Sequence, residues 1–107
     1  MTRLETFQQM LAADPENTMV RFGLANEYLK AEQYAEAAEE LNQYLNRADD
    51  EGAAYGMLAK AYLNLSRADD ARRAYERGIE AAASHGHPTM AEDYRMTLAE
   101  MDEEVSG

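Results

Sequence analysis

The chain has 107 residues, one domain's worth of material, with 46% hydrophobic residues, few glycines and prolines, and no cysteine. Disulfides, thiolate metal sites and cysteine nucleophiles are thereby excluded, and a disordered or low-complexity chain does not fit the composition. Twenty-one acidic against ten basic residues leave a net charge of −11, which repels phosphate backbones and anionic lipid and argues against nucleic acid or membrane as a partner.

Leu4, Phe7, Met10 and Leu11 share one helical face, which predicts a helix over 2–13 that ends before Asp14-Pro15, because proline cannot continue it. Val20, Leu24 and Tyr28, then Ala37, Leu41, Tyr44 and Leu45, recur at three and four across a polar break at Lys30–Gln33. They predict a helix pair over 18–48. A second pair, 52–83, carries Ala54, Leu58, Ala61, Tyr62 and Leu65, breaks at Ser66-Arg67, and resumes with Ala71, Tyr75 and Ile79. Ser66 reads as an N-cap with Asp69 three residues on, and Asp49 and Asp50 as carboxylates at the preceding helix start. Ser84-His85-Gly86-His87-Pro88 is a breaker. Beyond it, 89–104 reads as a capping helix, with Ala91, Tyr94, Leu98, Met101 and Val105 on one face. Glu92, Asp93, Glu100, Asp102, Glu103 and Glu104 lie on the other. The expectation is an all-α chain of about five helices forming a single domain, 1–107.

Shifting the chain by 34 residues superposes Leu24, Ala25, Tyr28, Leu29 and Ala37 on Leu58, Ala59, Tyr62, Leu63 and Ala71. Leu41 falls on Tyr75 and Leu45 on Ile79. Most other positions differ, so the matches mark a buried frame. Small residues at Ala25, Ala37, Ala59 and Ala71 let helices approach while Leu and Tyr fill the gaps, with Tyr28 and Tyr62 expected in equivalent buried niches.

This frame resembles the tetratricopeptide repeat (TPR), a 34-residue pair of helices with a large-small pair and an aromatic in its first helix and an alanine early in its second. Here those are Leu24-Ala25, Tyr28, Ala37 and Leu41, then Leu58-Ala59, Tyr62, Ala71 and Tyr75. The family's tryptophan is replaced by Arg21 and Tyr55, and its terminal proline by Asp49 and Ala83. The resemblance implies a right-handed superhelix of antiparallel helix pairs, a TPR-like α-solenoid, whose concave groove is lined by first helices and binds an unidentified protein or peptide. Carried over by position, the groove set is Met19, Phe22, Asn26, Leu29 and Lys30, then Ala53, Gly56, Lys60, Leu63 and Asn64. Phe22 is the expected exposed anchor, and Gly56 either leaves room for an inserted side chain or is a tolerated imperfection. Asn26, Lys60 and Asn64 imitate part of a carboxylate clamp, but the surrounding negative field opposes an acidic ligand. The leucines are expected to pack between helices.

No catalytic chemistry is expected. His85-Gly86-His87 is the sole histidine cluster and has no matched carboxylate or cysteine, so no metal or other cofactor is inferred. Glu39-Glu40 and Asp49-Asp50-Glu51 are surface charge or caps, and Arg72, Arg73 and Arg77 are expected to pair with Glu76 and Glu80. Neither a phosphate-binding glycine loop nor a nucleophile elbow occurs. The alternative function is a structural element stacking end to end with other repeats, as a monomer or weak homo-oligomer. No run approaches the roughly 18 apolar residues of a membrane span, and MTRLETFQQMLAADPEN lacks an apolar leader core; a cytoplasmic location is expected.

Eight arginines and only two lysines among so many carboxylates fit either adaptation to high salt or plain solubility. Under the first, thermal unfolding monitored by circular dichroism shifts upward between dilute buffer and molar KCl as self-repulsion is screened. An unchanged midpoint leaves only solubility.

Overall fold

A computed structural model describes the backbone of residues 1–106 and the side chains of residues 1–103. Glu104 and Val105, named above for their faces, lie outside the described side chains. The described residues form six α-helices and no strand. The chain divides into two compact units, Met1–Asp49 and Asp50 onward. The first holds α1 (Arg3–Ala13), α2 (Thr18–Lys30) and α3 (Tyr34–Arg47); the second holds α4 (Ala53–Asn64), α5 (Ala68–Ser84) and α6 (Pro88–Ser106). Within each unit consecutive helices pack on one another. The helix, two helix pairs and capping helix expected above already sum to these six, one more than the stated five, and α1 is complete at both ends. Thr2 and Glu5 close a capping box at its start, with the Glu5 amide donating to Thr2 Oγ1 at 3.1 Å, and Asp14 caps its end.

The tight turns inside the helix pairs repeat with the sequence period. Glu32 and Ser66, 34 positions apart, both take left-handed backbone (φ 58° and 59°). The amides of Gln33 and Arg67 donate to the carbonyls of Tyr28 and Tyr62, each at 2.9 Å, and those of Glu32 and Ser66 to Leu29 and Leu63. This is the Schellman closure, which satisfies the last carbonyls of α2 and α4 and reverses the chain. Ser66 therefore ends α4 and is not the N-cap of α5. That cap is Arg67, which makes no side-chain capping bond. Asp50 does act at a helix start: its Oδ2 accepts from the amides of Gly52 (2.8 Å) and Ala54 (2.9 Å) at the head of α4.

In the first unit Val20, Leu24, Ala25, Ala37, Ala38, Leu41 and Leu45 are buried. In the second, Leu58, Ala59, Ala71, Ala74 and Tyr75 are among the buried set, with Ala91 and Met101 from α6. Ala25, Ala37, Ala59 and Ala71 are fully enclosed. Tyr28 and Tyr62 hold equivalent positions but are only half-buried, because each ring reaches the surface. The Tyr28 hydroxyl accepts from Gln8 Nε2 at 3.1 Å, and the Tyr62 ring lies 4.7 Å from the Arg67 guanidinium. The seam makes a direct demand on size. Ala25→Leu overpacks α2 and is expected to lower stability by ~1–3 kcal/mol in denaturant unfolding; an unchanged midpoint would refute the assigned packing.

Candidate partner-binding face

Met19, Phe22, Asn26 and Lys30 recur at three and four on α2 and so share one face. Met19 is 77% exposed. Phe22 is half-buried, leaning on Tyr44 of α3 with ring centroids 5.0 Å apart, so the expected anchor is part surface and part core. Asn26 is half-buried, and among the described residues its side-chain amide makes no hydrogen bond. Leu29 is also half-buried. Lys30 is exposed, with Nζ 3.2 Å from Glu27; that carboxylate, itself 9% exposed, also lies 3.4 Å from Arg3 of α1.

On α4, Gly56, Lys60 and Asn64 share a face at intervals of four. Gly56 is buried, and a Cβ built there would lie 2.4 Å from the Tyr94 hydroxyl oxygen. The room that a glycine was expected to leave for an incoming side chain is already taken by α6. Tyr94 lies against Gly56 of α4 and Gly78 of α5, packs its ring at a tilt against Tyr75 with centroids 5.4 Å apart, and donates its hydroxyl to the Gly52 carbonyl at 2.9 Å. Burial raises the Tyr94 pKa, with Asp50, Tyr75 and Asp93 adding to the rise, and burial raises that of Tyr75 as well. Lys60 is exposed with no carboxylate partner among the described residues, while the Asn64 amide turns back to the Lys60 carbonyl at 2.9 Å. Ala53 and Leu63 are exposed, so Leu63 does not pack between helices as expected.

Two features escaped sequence reasoning. Gly23 of α2 lies under the Phe7 ring, where a Cβ would come within 2.4 Å of Cε1. A glycine inside a predicted helix was the available signal, since it costs about 1 kcal/mol against alanine unless something needs the space. Arg21, where the family carries tryptophan, is 9% exposed; its Nη1 donates to Glu40 of α3 at 2.9 Å and its Nη2 to the Pro15 carbonyl at 3.0 Å. Tyr55, at the equivalent place on α4, carries the Arg77 guanidinium 5.1 Å from its ring centre.

The α5 arginines find partners other than the expected glutamates. Arg72 pairs with Asp102 and Arg73 with Asp70, and Asp70 also takes Arg67 at 2.8 Å. The Arg73 and Arg67 hydrogen bonds hold the Asp70 carboxyl below its ordinary pKa. His85 Nδ1 lies 2.8 Å from the Ala81 carbonyl and His87 Nε2 3.0 Å from Glu51. Both rings thus have protein partners, and no group of three potential metal ligands gathers among the described residues.

The tetratricopeptide repeat profile matches residues 4–57 and 28–91. The chain is 31% identical over 99 residues to the TPR repeat-containing protein PA0015 of Pseudomonas aeruginosa, covering 92% of this chain and 94% of that one. It is also similar to the protein BPP2914 of Bordetella parapertussis, known from a solution structure, at a TM-score of 0.81 and 27% identity over 97% of this chain and 90% of the other. The chain belongs to the tetratricopeptide repeat family, whose repeats are generally protein-interaction modules. No described helix is long and apolar enough to cross a membrane.

The Tyr94 slot makes a sharp demand. Gly56→Ala improves helix propensity yet forces the ring out, so it is expected to lower the thermal midpoint; an unchanged or raised midpoint would show that Tyr94 does not occupy the slot.

Proposed function

We propose that the chain is a single TPR domain, 1–107, that binds a peptide or partner protein in a groove lined by the first helices of its repeats and performs no catalysis. The supporting observation is the open face of α2. Met19 is largely exposed, Phe22 leans on Tyr44, and Asn26 offers both a donor and an acceptor with no hydrogen-bond partner among the described residues. A flexible thioether beside a braced ring suits varied apolar side chains, and a free carboxamide suits an extended backbone. On α4, Lys60 and Asn64 are exposed members of the corresponding set. Gly56 belongs to this surface only as the floor beneath Tyr94. The reading places the protein in the cytoplasm, as a monomer or weak homo-oligomer.

A second reading is motivated by the end helices. α1 has no fully buried residue, and Met10 and Met96 are both exposed, so stacking on other repeats is the rival role. Light scattering across concentration separates the two, since a strict monomer disfavours stacking.

Affinity capture from native lysate provides the test of the groove. The triple variant Phe22→Ala, Asn26→Ala, Lys60→Ala is expected to lose partners that the parent chain retains. Identical captured sets would remove the groove reading.

A further inference from the structure

Which ligand the α2 face favours depends on the charges around it. Among the described residues every arginine and lysine except Lys60 and Arg77 has a carboxylate within 3.9 Å, and Arg77 lies over the Tyr55 ring. The first unit carries nine Asp and Glu side chains against four Arg and Lys. All four of those cations are engaged: Arg3 and Lys30 with Glu27, Arg21 with Glu40, and Arg47 with Glu16. The turn leading into α2, immediately before Met19, exposes Asp14 and Glu16. Glu16 is 83% exposed, with only a long 3.9 Å contact to Arg47. The face therefore has an apolar centre at Met19 and Phe22, a carboxamide at Asn26, and a carboxylate-bearing edge at the Met19 end.

We infer that the occupant of this face is a basic peptide segment: an apolar side chain rests on Met19 and Phe22, its backbone bonds to the Asn26 amide, and a neighbouring arginine or lysine meets Asp14 and Glu16. The inference rests on the groove reading above and adds the chemistry of the partner. Complementary charge selects the segment and speeds its approach, and exposed charges of this kind respond to salt. An acidic segment would instead meet the exposed carboxylates of Asp14 and Glu16 at the same edge.

Three acetylated and amidated nonapeptides with one shared apolar core and flanks of arginine, serine or glutamate test this against the full chain, read by amide NMR shifts. The arginine peptide is expected to bind most tightly, to shift Met19, Phe22 and Asn26, and to weaken by roughly fivefold or more between low and high salt. Asp14→Asn with Glu16→Gln is expected to weaken the arginine peptide by a similar factor of about five and to leave the serine peptide unchanged. Circular dichroism checks that this variant is folded, and the salt series on the parent chain stands independently of it. Equal or tighter binding of the glutamate peptide at these amides would overturn the inference and leave the groove standing. If none of the peptides shifts these amides, the groove reading and the inference fall together. Arginine-peptide shifts confined to other residues would overturn the placement.

Discussion

Close approach of helix backbones through small side chains is the constraint from which the rest of each unit follows. Ala25, Ala37, Ala59 and Ala71 are fully enclosed, and a larger group at any of them would push a neighbouring helix outward. At Gly23, Gly56 and Gly78 the approach goes one atom further, because Phe7 and Tyr94 lie where a Cβ would stand. These glycines weaken their helices locally and let the ring of a flanking helix fit closely. Each unit thus joins its end helix to its helix pair by the same device, an aromatic ring against glycine, although the residues involved are unrelated by the 34-residue shift.

The turns make that approach reproducible. Placing Glu32 and Ser66 in left-handed backbone has an energetic cost that glycine would avoid, yet both turns close with the same two hydrogen bonds. In the third such closure, after α5, glycine does stand at the left-handed position: Gly86 has φ 78°, and the His87 amide donates to the Ala82 carbonyl at 2.8 Å. The enclosed alanines face their partners only if the chain reverses within three residues. Turn and seam are therefore one requirement expressed twice.

This explains which features were legible in the sequence. The period, the alanine frame and the Asp14-Pro15 stop depend on local spacing and could be read directly. Asp50 was also legible, since a carboxylate just before a helix finds the free amides at its head. Ser66 was misread because a hydroxyl residue between two helices can end one or start the next, and backbone closure decides which. Gly56 could not be resolved between a vacancy and an imperfection, because the answer lay with Tyr94, far along the chain. Phe22 was identified as exposed, but its half-burial depends on Tyr44 of the following helix. Local rules describe the elements, and the content of the candidate site depends on which neighbour covers each position.

The replacement of the family's tryptophan shows how charge enters the same framework. In the first unit Arg21 fills that place as a buried cation, tolerable only because Glu40 and the Pro15 carbonyl take its two terminal nitrogens. In the second, Tyr55 fills it and is covered from outside by Arg77. Both solutions use arginine to tie one helix to another, Arg21 joining α2 to α3 and Arg77 joining α5 to α4. Arg72 on Asp102 joins α5 to α6 in the same way. Arginine suits this work because its planar head bonds in fixed directions while its stem packs against apolar neighbours. With most cations paired to a carboxylate, on the surface as well as between helices, the charge left over is dominated by carboxylates. The acidity that a partner meets follows in part from how the helices are tied together.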